Sequence, residues 1–377
     1  MIQALKQFKE ESPEEFQEYK QNKHATFMKR FLVTGGTGFL GGILIGELIG
    51  QGHFVIVLAR SERKSKQLLS KFNSEERKRI TVIKGDITLK DLGQSHDLIQ
   101  ENKGEIDTVY HLAAMVKFNE ELKEELLKVN VDGTKNTLQL AEKLGVKHFI
   151  QVSTAYTLGK EMKGEEKLYS ENQDFHNPYE LSKVLAEQAA MTYTSVMNVN
   201  IVRPSIIVGD SKTGQADSNF AIYGFLRALS VFKNRTLHDG FSDDSFRIIA
   251  SAEGTANLVP IDYVVSVLLA VHAFGENGQI FHVINANSHT NQHILNRIKF
   301  FMQYDLLTIS TDPYIGLDDL SSKERVLNDL LWIYKPYLAT DKTFDDRQTQ
   351  ALLQKSNQLP LNMNHEMLDL ILSSGLS

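Results

Sequence analysis

The chain has 377 residues, 42% of them hydrophobic and 23% charged, with a formal net charge of -6. This is ordinary globular composition, with room for a nucleotide-binding domain and a smaller appended region, and its acidic balance argues against a nucleic-acid partner. No cysteine is present, which excludes disulfides, thiolate metal sites and an acyl-cysteine intermediate and fits a cytoplasmic setting.

Residues 1–28 read as an amphipathic extension. They carry Glu10, Glu11, Glu14, Glu15 and Glu18 and lack the apolar core of a secretory signal. No apolar run reaches the roughly 18 to 20 residues that span a bilayer, the nearest being Tyr263 to Phe274, so a soluble protein is expected.

From Lys29 short β-branched runs alternate with longer helical stretches. Strands are predicted over Arg30–Thr34, Phe54–Ala59, Ile80–Lys84, Thr108–Leu112, His148–Ser153 and Asn200–Arg203. Such alternation predicts an α/β fold, a doubly wound parallel sheet of the Rossmann type, over residues 29–204. The rhythm stops after Arg203, and residues 205–377 read as a smaller substrate-binding and C-terminal helical region. Within it, a strand near Gln279–Asn285 returns to the main domain, and a last helix over Asn364–Leu372 places Met367, Leu368, Ile371 and Leu372 on one face.

The sharpest local signal is Thr34-Gly35-Gly36-Thr37-Gly38-Phe39-Leu40-Gly41, directly after the first strand and opening a helix that runs to about Ile49. Gly35, Gly38 and Gly41 let the backbone turn sharply, approach a pyrophosphate and pack helix on strand, while the helix N-terminus offers N–H groups to phosphate. Thr37, Phe39 and Leu40 belong to the same cradle. Strand two ends Leu58-Ala59-Arg60 with no carboxylate at its tip, which favours NADP(H), with Arg60 on the 2′-phosphate; otherwise Arg60 begins a solvated segment of eight basic and three acidic residues ending near Arg79.

Asp86, followed by Ile87 after strand three, stands where a carboxylate could bind the adenine amino group, or else caps the next segment. Small residues after His111, Ala113 among them, let the backbone come close to the cofactor; His111 itself fits a satisfied core histidine equally well. Asn130 reads as a polar anchor inside the next helix, with a purely structural role as the alternative.

Tyr179 and Lys183 stand four apart in Pro178-Tyr179-Glu180-Leu181-Ser182-Lys183, so a helix carries both on one face. An ammonium near a phenol favours the phenolate, and Lys183 is expected to pull the Tyr179 pKa down toward working pH. Strand five ends Val152-Ser153-Thr154. Thr154 is the candidate donor to a reacting carbonyl, with Ser153 in reserve, because strand alternation sends only one of the two toward the site.

With these residues in view, Arg30 to Asn285 resembles the extended short-chain dehydrogenase/reductase superfamily, through TGGTGFLG, GDI, HLAA, NVDGT, VST, YELSK and RPSIIVG in order. Within it the chain is most similar to the fatty acyl-CoA reductase and thioester reductase group, the male-sterility-type reductases. That likeness is carried by Ala113 to Phe118 continuing to Asn130, by Val152 to Tyr156, by Arg203 to Ile207 and by Gly209 to Gly214; Gly36 stands where the group often has alanine.

The resemblance implies NADPH, a catalytic Thr154, Tyr179 and Lys183, with Lys183 also holding the nicotinamide ribose of the cofactor, and hydride delivery to an acyl thioester on coenzyme A or an acyl carrier protein to give an aldehyde or alcohol, in a chain that is compatible with a homodimer. Two alternatives share the fold: a nucleotide-sugar epimerase, dehydratase or hydroxysteroid-type dehydrogenase, and a non-catalytic NADP-sensing protein.

Overall fold

The computed structural model describes residues 28–216, 222–238, 245–310, 312 and 315–376. The expected N-terminal extension, apart from Met28, lies outside the described residues. Seven strands form one sheet: β1 (Arg30–Thr34), β2 (Phe54–Ala59), β3 (Ile80–Lys84), β4 (Thr108–His111), β5 (His148–Val152), β6 (Asn198–Pro204) and β7 (Ile280–Val283). Their order is β7-β6-β5-β4-β1-β2-β3, and every neighbouring pair is parallel.

Strands buried on both faces need apolar residues at successive positions, and the period of two divides them between two cores. Val55 and Val57 of β2 enter one core while Ile56 and Leu58 enter the other. The first core is covered by α1 (Phe39–Gly50), through Leu44, Ile45 and Leu48; the opposite core is covered by α2 (Gly133–Leu144), through Leu138, Ala141 and Leu144, and reached by Ala190 of α3 (Pro178–Met191).

A third core gathers α4 (Ile222–His238), the pair of short parallel strands Phe246–Ile248 and Leu307–Ile309, α6 (Asn291–Met302) and α8 (His365–Leu376). The intervening α5 (Ile261–Phe274) and α7 (Arg347–Lys355) return to the sheet and join the first core. Among the described residues no helix is long and apolar enough to cross a membrane.

The sheet order reverses between β1 and β4, each followed by a chain that leaves toward a different face. A crevice opens at such a switch point, outside the carboxyl ends of the strands. The glycine loop after β1 and the segment after β4 meet there.

Candidate active site

Beyond β1 the chain turns over Gly35, whose φ of +73° suits glycine, and a Cβ at Gly35 would stand 2.7 Å from the Ala113 nitrogen. A Cβ at Gly41 would stand 2.5 Å from the Gly35 carbonyl oxygen, so the loop is folded flat on the start of α1. Gly36 faces Val57 Cγ1 and Ile45 Cδ1, which already fill the space an alanine methyl would take. Gly38 caps α1 with no side chain over the first-turn N–H groups, and no acidic residue stands in that turn. The result is a bare helix N-terminus able to accept a pyrophosphate, and the glycine loop fits a dinucleotide.

At the end of β4, His111 is buried between two hydroxyls, Nδ1 at 2.7 Å from Thr34 Oγ1 and Nε2 at 3.1 Å from Thr134 Oγ1. Burial, with the Lys183 charge adding, holds its pKa down at about 3. It is a neutral core histidine. Asn130 lies in a π-helical turn, Lys128–Asp132, that leads into α2. Its Oδ1 accepts from the Met115 N–H at 2.7 Å, and its Nδ2 donates to the Met115 carbonyl at 3.0 Å and to Ser182 Oγ at 2.8 Å. Asn130 therefore ties the segment after β4 to the helix that carries Tyr179.

That helix, α3, begins with Asn177 accepting from the Glu180 N–H at 3.1 Å and with Pro178 in its first turn. Lys183 is buried, and its ammonium donates to the Val152 carbonyl at 2.7 Å. Burial lowers its pKa to about 8. The expected lowering of the Tyr179 pKa does not occur in this geometry. Tyr179 opens on the cavity, but apolar walls around its hydroxyl push the pKa well up, with Glu180 and Glu187 adding to the shift. The hydrogen bond that Lys183 makes is to the end of β5.

Ser153 and Thr154 both line the cavity, because β5 stops at Val152 and strict alternation ends with it. Thr154 Oγ1 accepts from the Tyr156 N–H at 3.3 Å, which leaves its hydrogen to donate, whereas the buried Ser153 Oγ has no partner among the described residues.

The cavity, of about 390 Å³, is walled at one end by Gly35, Gly38, Phe39, Leu40 and Gly41 and at its middle by Thr154, Tyr179 and Lys183. Its far end is apolar, with Phe225, Ile248, Ile294, Leu295, Ile298 and Ile309 from the third core. Thr37, Arg60, Asp86, Ile87, Ala113 and Asn130 are not among its walls. Arg60 and Asp86 stand together at the neighbouring ends of β2 and β3, with Arg60 Nη1 3.8 Å from Asp86 Oδ2. Asp86 caps no helix; its Oδ1 accepts from the backbone N–H and hydroxyl of Thr88, both at 2.9 Å, closing a turn. Ile87 is buried against Gly133.

Two further wall residues lie outside the site expected from sequence: Tyr156, which ends the Val152 to Tyr156 segment, and Tyr337, which carries no local sequence signal. Their rings meet edge to face at 4.9 Å, and the Tyr337 hydroxyl donates to Glu180 Oε1 at 2.8 Å while accepting from Asn177 Nδ2 at 2.7 Å. Burial pushes the Glu180 carboxyl up to about 7. Partners separated by 157 residues leave no trace in spacing.

Fold and site together define an oxidoreductase of the extended short-chain dehydrogenase/reductase type that takes a nicotinamide cofactor. Residues 33–268 match the male sterility protein family, and the chain belongs to that family.

The chain is similar to the fatty acyl-CoA reductase wat of Drosophila melanogaster, 28% identical over 281 residues that cover 64% of this chain and 53% of that one. It is similar as well to the UDP-N-acetyl-alpha-D-glucosaminuronate decarboxylase of Bacillus cytotoxicus, 34% identical over 188 residues, 48% of this chain and 55% of that one. The chain thus spans about half the length of these curated relatives. Among solved structures, the terminal R domain from the myxalamid PKS-NRPS biosynthetic pathway matches with a TM-score of 0.74 and 25% identity, covering 92% of this chain and 90% of that one.

Proposed function

We propose that the protein reduces an acyl thioester, carried on coenzyme A or a carrier protein, with NADPH, to an aldehyde or, by a second hydride, to an alcohol. The observation that carries this reading is the cavity of about 390 Å³ that joins the glycine loop and Tyr179 to an apolar chamber walled by the third core. The similarity to a fatty acyl-CoA reductase and to an R domain supports it. A nucleotide sugar, the substrate class suggested by the decarboxylase relative, would meet isoleucine and phenylalanine where its hydroxyls need partners.

The glycine loop would hold NADPH, with Arg60 at its 2′-phosphate, and the bound cofactor would supply a hydride to the acyl carbon. Thr154 and Tyr179 donate hydrogen bonds to the acyl oxygen as it becomes negative. Tyr179 gives that oxygen its proton and takes it back as the carbon–sulfur bond breaks, so the phenol is restored, the aldehyde forms and the sulfur leaves as a thiolate that takes its proton from solvent. Lys183 braces the end of β5 and keeps a positive charge beside the transient phenolate. No covalent acyl-enzyme forms.

The test is a panel of acyl-CoAs of increasing chain length with NADPH, measuring cofactor oxidation, released thiol and product. Thiol should appear in step with oxidised NADPH and not in its absence. Inactivity on every thioester together with turnover of a nucleotide sugar or sterol would overturn the reading.

A further inference from the structure

Helix α6 has two working sides. One turns Ile294, Leu295 and Ile298 into the cavity, and another faces α8. On that second side three of the chain's 12 histidines meet: His289 from the short strand His289–Thr290, His293 from the first turn of α6, and His365 from the start of α8. Their ring centroids lie 5.1, 5.2 and 4.6 Å apart. One ring nitrogen from each lies within 4.8 Å of the other two, and His365 Nδ1 stands 3.0 Å from His293 Nε2.

The third ring is oriented. His289 Nε2 lies 3.0 Å from the Met363 carbonyl oxygen, and a carbonyl can only accept. The proton therefore sits on Nε2, leaving the Nδ1 lone pair free, the arrangement by which a carbonyl behind a histidine fixes the tautomer of a metal ligand. The two helices are also held without a metal. Arg297, one turn beyond His293, grips Asp369, one turn beyond His365, through bonds of 2.6 and 2.7 Å. That pair occupies the nearby carboxylate and sets the register of α6 against α8, so the imidazoles converge with little rearrangement.

We propose that His289, His293 and His365 form a binding site for a divalent transition-metal ion, zinc above all, with water in the fourth position. Tetrahedral zinc with Zn–N bonds of about 2.0 to 2.1 Å needs nitrogens roughly 3.3 Å apart, a spacing the three rings bracket. Imidazole alone suits zinc, copper or nickel and not the hard cations that require oxygen. The ion would pin the C-terminal helix, with its buried Leu368, Ile371 and Leu372, to the helix that walls the cavity. None of the three histidines is among the walls of the cavity.

The experiment uses the full, tag-free chain, stripped with a chelator and reloaded with zinc chloride. One zinc per chain should survive gel filtration, and the Tm should rise by several degrees over the stripped protein. Cobalt in its place should give the visible bands of a tetrahedral site. His293→Gln with His365→Gln should lose the stoichiometric zinc and the Tm rise while binding NADPH as before. If that double variant folds poorly, His365→Ala, at an exposed position, should lose the same two signals. Zinc bound equally by wild type and variants, or a reloaded wild type without stoichiometric zinc, would overturn the proposal.

Discussion

Arg203 holds Glu187 through two parallel hydrogen bonds, Nε to Oε1 at 2.8 Å and Nη2 to Oε2 at 2.6 Å, with both side chains wholly buried. Glu187 lies one turn beyond Lys183 on α3, and Arg203 belongs to β6, so the pair fixes the helix of Tyr179 against the sheet. The remaining guanidinium donors reach the Glu165 and Lys167 carbonyls, at 3.1 and 2.8 Å. Arg203→Met strands a buried carboxylate and is expected to cost about 3 to 5 kcal/mol. Adding Glu187→Leu should restore most of that loss in urea denaturation. A double variant as unstable as the single one would assign the loss to packing instead.

Arg60 is exposed at the tip of β2, and its Asp86 contact is long at 3.8 Å, so little is lost when the guanidinium turns to a phosphate. Arg60→Ala should weaken NADPH binding by about 1.5 to 3 kcal/mol and leave NADH binding nearly unchanged, as read by fluorescence titration. An unaltered NADPH/NADH ratio would place 2′-phosphate selection elsewhere.

In the proposed mechanism the Tyr179 phenol and the Thr154 hydroxyl are the donors to the acyl oxygen. Tyr179→Phe and Thr154→Val should each lower kcat by on the order of a hundredfold with NADPH affinity preserved. Ser153→Ala removes a buried hydroxyl that has no partner among the described residues, and should leave kcat within a few-fold and stability unchanged or raised. A collapse of kcat in Ser153→Ala with normal Thr154→Val turnover would exchange their roles.

Glu180 gives a pH signature. Its folded pKa of about 7 lies above the ordinary 4.5, so the fold prefers the protonated form; this contribution is complete below about 4.5 and is lost as pH rises through about 7. His176, His272 and His282, held at about 4, and His111 act in the opposite sense, favouring the fold above their unfolded value of 6.5. The difference between Glu180→Gln and wild type isolates the carboxyl. The variant should gain on wild type from pH 4.5 to 7, by on the order of 1 to 3 kcal/mol, and the gap should then level off. A gap flat across that range would show that Glu180 ionises freely.

The sheet was legible because parallel strands buried on both faces are written as unbroken apolar runs. Phe54–Ala59 and Ile80–Lys84 fall where expected, and β4 and β5 stop one residue early because Leu112 and Ser153 already turn toward the crevice. The glycine loop and the Tyr179–Lys183 face were legible for a similar reason: each depends on spacing within one element. What depends on elements meeting was not. The periodicity of α6 gives Ile294, Leu295 and Ile298 an apolar face, yet only the packed structure shows that face looking into the cavity. The spacing of Lys183 and Tyr179 could not show that the ammonium also donates to the carbonyl of a strand end 31 residues away.

The π-helical turn at Lys128–Asp132 is an α-helix carrying one residue more than its ladder needs. That surplus lets Asn130 face Met115 and Ser182 while Thr134, whose hydroxyl donates to the Asn130 carbonyl at 2.7 Å, faces His111. Losing any one residue there would heal the ladder and swing one of the two side chains roughly 100° off its target. Deletion is therefore barred in this stretch even where substitution is tolerated: what must be inherited intact is a count of residues, one that keeps the cofactor crevice and the tyrosine helix in phase.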